Sequence, residues 1–479
     1  MLLVAGLGLF CAGAALLLRS RGGTHSLLVF GTGLRIAGLL LLAGFATLRR
    51  SLTGWIFWSM LAGVELGLDA PGFSSHLHVF SDVFLRLIRM IVAPLIFGTL
   101  VTGIAGHGEQ RGLGRLGLKS LVIFEVLTTL ALAIGLVAIN LSRAGEGLSR
   151  PETAEVSPTS QSRDAGHLSL AHPASMPEAP QAQAALSWDQ FLLHSVPENI
   201  AKAVAENQIL QVAVFAVLFA VALGRVSEEK RQPMVRLAES LTETMFALTN
   251  LVMYVAPLAV GAALAYTVGN LGLGVMANLG KLLLTLYAAL IVFLLAVIVP
   301  ALALARIPLR RFLAAVADPA TIAFATSTSE AALPRAMEEM EAFGVPRRIA
   351  GFVIPAGYSF NLTGSALYLS LTAIFVAQAA GIPMAWHEQI FMLLALMLTS
   401  KGVAGIPRAG FVVLLATAST FQLPEWPIFV IFGIDALMDM GRTAVNVLGN
   451  CVAAALVAQW EGELGSERAS EQAVAALED

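Results

Sequence analysis

Apolar and polar residues follow one another along this chain in long blocks, not in the short periods of a soluble amphipathic fold. Blocks near or above the length needed to cross about 30 Å of hydrocarbon cover residues 54–68, 80–105, 117–142, 207–225, 240–268, 277–305, 345–380 and 425–459, and each predicts a membrane-spanning helix. Two further blocks, 310–343 and 385–422, are apolar but interrupted. Upstream, 2–18 and 26–47 form two more apolar segments, the first followed by Arg19 and Arg21 and the second by Arg49 and Arg50. The first lacks the basic leader of a secretory signal, since the chain begins Met-Leu-Leu-Val. Arginines after both segments put one basic cluster on each side of a simple hairpin, against the positive-inside tendency, so the sequence leaves residues 1–50 unoriented.

The pattern predicts an all-α polytopic membrane protein, and composition agrees. Of 479 residues, 57% are hydrophobic and 13% charged, against roughly a quarter charged in soluble domains. A formal net charge of -3 offers no basic surface of the kind nucleic acid needs. Cys11 and Cys451 are far apart in apolar stretches and supply neither a disulfide framework nor paired metal ligands. Residues 143–188 are rich in Pro, Ser, Ala, Gln and Glu and read as a flexible extramembrane loop. Glu228-Glu229-Lys230-Arg231 reads as a charged turn, and 461–479 as a solvated tail.

Candidate chemistry concentrates in four interruptions of the apolar pattern. In the last block, Asp435, Asp439, Arg442, Thr443, Asn446 and Asn450 fall within an arc of roughly 100° on a helical wheel. A charge at the bilayer centre costs at least ~2.5–3.5 kcal/mol, so three on one helix demand partners or a wet site. The bland alternative is a salt-bridge stripe that glues helices together, Asp439 and Arg442 pairing at i, i+3. Thr326-Ser-Thr-Ser-Glu330-Ala-Ala-Leu-Pro334 and Ser400-Lys-Gly402-Val-Ala-Gly405-Ile-Pro407-Arg-Ala-Gly410 break the two interrupted blocks. Unwound backbone at membrane depth is tolerated only inside protein or along a cavity, so both breaks read as tips of re-entrant hairpins. Pro-kinked spanning helices are the alternative. Tyr358-Ser-Phe-Asn361-Leu-Thr363-Gly364-Ser365-Ala-Leu-Tyr368 reads as a local unwinding whose carbonyls suit a hard cation.

These stretches, in this order, resemble the glutamate/aspartate and dicarboxylate:cation symporter family, from about Thr53 to Trp460. The runs that carry the likeness are Phe360-Asn-Leu-Thr-Gly-Ser, Thr399-Ser-Lys-Gly-Val-Ala-Gly and Asp439-Met-Gly-Arg-Thr-Ala-Val-Asn-Val-Leu-Gly-Asn450, which look like the bacterial glutamate branch. The resemblance implies a homotrimer in the bacterial inner membrane, each protomer with eight spans and two re-entrant hairpins, 309–343 and 385–421. It implies a scaffold mainly within 51–268 and a mobile transport unit of 269–460, which also takes the third span, 113–142, with 1–50 as an addition. By resemblance, Arg442 holds the distal carboxylate of an acidic substrate and Asp439 its α-ammonium. Thr443, Asn446 and Ser365 complete the binding set, and Thr328, Ser329, Val403, Ala404 and Gly405 at the two tips receive the α-carboxylate. Relatives that carry succinate-type solutes generally lack the aspartate matching Asp439, so glutamate or aspartate is the expected solute, with C4-dicarboxylates as the alternative.

The same resemblance places co-transported cations, H+ or Na+, at Asn361, Thr363, Asn446, Asn450, Asp435 and the pair Thr128 and Thr129. Here the chain departs from the family pattern. Thr363 and Asn450 stand where sodium-coupled members have aspartates, Ser327 and Met440 stand where one or other position carries an arginine, and Arg408 replaces the usual glycine. Glu125 and Glu330 are carboxyls that burial could convert into proton carriers. The lost carboxylates also leave room for a transport-dead sensor or anion channel on the same fold. No cofactor, resident metal or catalytic residue is expected: the eight histidines lack ligand spacing. The Gly112-Leu-Gly114-Arg-Leu-Gly117 match to a dinucleotide fingerprint follows no credible strand.

Overall fold

The computed structural model describes residues 2–19, 25–49, 52–105, 111–148, 196–206, 208–399, 409–421 and 423–465. Among these residues the chain is helical, without strands. Labels below run α1 (Leu2–Arg19), α2 (His25–Arg49), α3 (Leu52–Asp69), α4 (His78–Ala105), α5 (Arg111–Ser142), α6 (Ile209–Leu223), α7 (Glu228–Met253) and α8 (Ala256–Leu271). They continue with α9 (Gly274–Leu304), α10 (Leu309–Thr326), α11 (Ser329–Phe343), α12 (Arg347–Phe360), α13 (Thr363–Ala379), α14 (Trp386–Thr399), α15 (Ala409–Thr420), α16 (Trp426–Phe432) and α17 (Asp435–Glu461).

Six helical segments among the described residues are long and apolar enough to cross a bilayer, or seven if α7 and α8, bent by 53°, form one span. The expected spans 54–68 and 207–225 correspond to α3 and α6, which fall outside that count: α6 is only 15 residues long, and α3 carries Glu65 and Asp69. Glu228–Arg231 is not a turn but the first turn of α7, where two glutamates face the positive end of the helix dipole. The Gly112–Gly117 run lies inside α5 and forms no strand-to-helix turn, so the dinucleotide reading falls. Of the loop 143–188 only the first residues are described, and residues 466–479 of the tail lie outside the described set.

Each interruption seen in the sequence becomes a break in a helix. α10 and α11 form an antiparallel hairpin, closed by Ser327 in the left-handed region (φ 55°) and Thr328 in an extended conformation. α14 and α15 are the arms of a second pair whose connection, 400–408, lies outside the described residues. The expected span 345–380 is two helices, because Asn361 (φ -129°, ψ 62°) and Leu362 (φ -90°, ψ 66°) leave the helical region between α12 and α13. α9 contains a five-residue π turn at Leu294–Ile298 just before Pro300, whose missing N–H cannot continue the regular ladder.

Two packing groups organise these helices. α3 lies along α8, and α4 packs on α6, α7 and α8. In the other group α17 is central, contacted by α10, α11, α12, α13, α5 and α9, with α13 also packed on α5. The N-terminal pair α1–α2 is an antiparallel hairpin so close that a β-carbon at Gly38 would lie 2.7 Å from the Gly6 carbonyl oxygen. It docks on α3 through Arg35, whose Nη1 lies 3.1 Å from Glu65 Oε2 with both side chains buried, and through Trp58 Nε1 donating to the Leu39 carbonyl at 2.9 Å.

Basic residues mark one end of the molecule. Arg348 pairs with Glu463, Lys119 lies 2.8 Å from Glu461, and the Gly465 amide donates to the Gly344 carbonyl. The antiparallel first hairpin returns to this same end, which adds Arg306, Arg310, Arg311 and Arg347, all exposed. The positive-inside tendency makes this the cytoplasmic end.

Candidate functional site

The polar face of α17 is turned inward. Arg442 is 2% exposed, Asp435 0% and Asp439 6%, so none of the three faces lipid. Arg442 Nε donates to Asp439 Oδ1 at 2.7 Å and Nη1 to Asp435 Oδ1 at 3.1 Å. Its guanidinium also lies 4.1 Å from the ring centroid of buried Tyr368 on α13, a cation–π stack that fixes the plane of the fork. Thr443 Oγ1 donates to the same Asp439 oxygen at 3.3 Å. Three charges thus share one desolvated spot and sum to a single net negative charge.

The helix α15 borders this cluster. A β-carbon at Gly410, on the first turn of α15, would stand 3.1 Å from Arg442 Nη1. The tip residues assigned by resemblance, Val403, Ala404 and Gly405, and the neighbouring Arg408, lie outside the described residues. At the first hairpin, Thr326 Oγ1 accepts from the Thr328 amide and hydroxyl at 3.3 and 3.2 Å. Ser329 opens α11, so the free N–H groups and positive dipole end of that helix gather at the tip. Thr328 and Ser329 are partly exposed.

The unwound stretch between α12 and α13 meets α17 side by side. Gly364 is needed there, because a β-carbon would fall 2.2 Å from the Arg442 carbonyl oxygen. Ser365 and Asn446 exchange two bonds: Asn446 Nδ2 donates to Ser365 Oγ at 2.9 Å and the Ser365 amide donates to Asn446 Oδ1 at 3.1 Å. One helical turn further, Asn361 Nδ2 donates to Asn450 Oδ1 at 3.0 Å, with both residues fully buried. Asn361 Oδ1 and Asn450 Nδ2 have no partner among the described residues. An oxygen left so costs about 1–3 kcal/mol, which a hard cation would recover. Thr363 Oγ1 donates at 3.4 Å to the Val445 carbonyl, next to Asn446.

Some expected neighbours separate. Asp435 sits with Arg442 and Tyr368, at the opposite end of the polar face from the Asn361–Asn450 pair. Thr128 and Thr129 diverge: Thr128 is buried, its hydroxyl without a partner among the described residues, whereas Thr129 is exposed and reaches Met397 Sδ of α14 at 3.6 Å. Glu125 is half-buried on α5, and Glu330, in the first turn of α11, is exposed. Tyr368 is the participant that residue patterns missed. Its signal was its spacing: it follows Gly364 by one helical turn on the helix that faces α17.

A sequence model of the sodium:dicarboxylate symporter family matches residues 52–460. A proton/sodium-glutamate symport protein of Bacillus subtilis is 39% identical over 417 residues, 86% of this chain and 94% of its own length. A proton/glutamate-aspartate symporter of Escherichia coli is 37% identical over 437 residues, 88% of this chain and 95% of its own. C4-dicarboxylate transport protein 3 of Ralstonia nicotianae is 39% identical over 414 residues, 85% of this chain and 88% of its own.

Proposed function

This chain belongs to the sodium:dicarboxylate symporter family, and from that premise we propose that it is a secondary active symporter taking up glutamate or aspartate with protons, sodium ions or both. It is a multi-pass protein of the bacterial inner membrane. The observation that carries the substrate assignment is the buried Asp435–Arg442–Asp439 cluster bordered by α15.

A cluster with one net negative charge suits a ligand that brings its own cation to Asp439. In this reading the substrate's ammonium takes Asp439, its distal carboxylate takes the bidentate fork of Arg442, and the guanidinium face stays stacked on Tyr368. The first-hairpin tip at Thr328 and Ser329, with Val403 to Gly405 of the second, receives the α-carboxylate. A singly negative substrate raises the buried charge to two negatives. Cations must therefore load with it, and Asn361, Asn450, Thr363, Asn446 and Thr128 offer neutral oxygens for one. Moving the anion into a negative interior costs about 2.3 kcal/mol per charge per 100 mV, which only cation flux offsets.

The helix grouping supports an elevator in which the set around α17, with α5, slides against the set around α3, α4 and α8; the assembly expected from the resemblance is a homotrimer. Uptake of labelled glutamate, aspartate and succinate into vesicles under imposed sodium or proton gradients tests the proposal. Gradient-driven accumulation of the amino acids is expected. Accumulation of succinate alone would transfer the assignment to C4-dicarboxylates, as the Ralstonia relative's name suggests, and absence of counterflow would reduce the chain to a sensor.

A further inference from the structure

Where α16 packs against α4 and α8, toward the end opposite the arginine cluster, lies a cavity of about 150 Å³ that no step of the proposed transport uses. Its wall comes from His78 and Asp82 on α4, Ala263 and Tyr266 on α8, and Trp426 and Phe429 on α16. α16 leads directly into α17, which carries Arg442. In an elevator motion the cavity is therefore shared by helices that stand still and helices that move.

Its chemistry is asymmetric. Most of the wall is aromatic or aliphatic, and a cavity of this size holds one benzene ring. The acidic side is Asp82, with His78 Nε2 at 3.9 Å and the His78 ring 5.4 Å from Tyr266 at 52°. Aromatic faces and a carboxylate together attract an organic cation. The arginine that links the same helices lies a further two turns along α4: Arg89 Nη2 is engaged by Glu425 Oε2 at 2.7 Å. Arg86, on the intervening turn, is exposed.

We propose that this cavity binds a one-ring arylalkylamine, its ring between Tyr266, Trp426 and Phe429 and its ammonium on Asp82, and that occupancy brakes transport by pinning α16 to α4 and α8. The binding half stands on the cavity alone; the braking half rests on the symporter reading. The probe is 2-phenylethylamine, titrated by calorimetry against the full chain in phosphatidylglycerol nanodiscs. Saturable binding is expected, weakened at least tenfold in Asp82→Asn and in Ala263→Leu, which fills the cavity, with 2-phenylethanol binding at least tenfold more weakly than the amine. Absent binding, equal affinity of the alcohol, or unchanged affinity in both variants overturns the site. If phosphatidylethanolamine nanodiscs abolish binding, the ammonium pocket belongs to the lipid headgroup and the soluble amine is overturned. Glutamate uptake should lose maximal rate without change of KM in the presence of the amine, and Asp82→Asn should transport normally and resist it. Binding with unaltered uptake kinetics in a transporting preparation overturns the brake and leaves the site. Failure of all uptake refutes the symporter reading and not the cavity.

Discussion

Replacing Arg35 by leucine tests whether residues 1–50 are an integral part of the membrane body. Arg35 Nη1 lies 3.1 Å from Glu65 Oε2, with side-chain exposures of 2% and 10%, and its other terminal nitrogen lies 3.9 Å from Asp69. Removing the cation leaves Glu65 buried between α2 and α3 without its counter-charge. Breaking one side of such a buried pair costs about 3–5 kcal/mol, whereas replacing both partners with apolar residues is near neutral or stabilising. Arg35→Leu should therefore lose about 3–5 kcal/mol, Glu65→Leu a comparable amount, and the double variant should recover most of it, which gives a large coupling energy in the mutant cycle. Unfolding in mixed detergent micelles, followed through tryptophan fluorescence, reads this out, and Trp58 at the docking face provides a local reporter through its bond to Leu39. Single-variant losses below about 1 kcal/mol, or additive losses in the double variant, would refute a hairpin held by a matched buried pair.

Three further outcomes follow from the site. Asp439→Ser should abolish glutamate and aspartate uptake while leaving succinate uptake measurable in the same vesicles; intact aspartate uptake would remove the ammonium assignment. Gly364→Ala drives a β-carbon to 2.2 Å from the Arg442 carbonyl oxygen, so it should destabilise by about 1–3 kcal/mol or more and lower uptake, checked by thermal unfolding and labelled glutamate. Ser327→Gly relieves the left-handed backbone at φ 55° and should gain up to about 1 kcal/mol, read as a raised unfolding midpoint.

Residue patterns carried most of the fold because a bilayer leaves few options: apolar blocks become helices, and the places where polar residues cut them become breaks. The tip at Ser327–Thr328 and the unwinding at Asn361–Leu362 fell where hydroxyls, an amide and a glycine had marked them. Side-chain partnerships were less legible. Sequence placed Asp435 among cation ligands, while the helix turn brings it seven residues back onto Arg442. Neighbours in sequence such as Thr128 and Thr129 point about 100° apart on a helix, so one is buried and the other reaches α14. The docking of residues 1–50 was hidden because Arg35 and Glu65 lie in different apolar segments and become a pair only when those segments pack.

The two-helix form of the N-terminal addition has a topological consequence. α1 and α2 run antiparallel, and Gly38 lets them touch backbone to backbone. Two antiparallel helices return the chain to the side on which α1 begins, so everything from α3 onward keeps its inside-outside sense with or without them. A single extra crossing would have asked the rest of the protein to insert upside down.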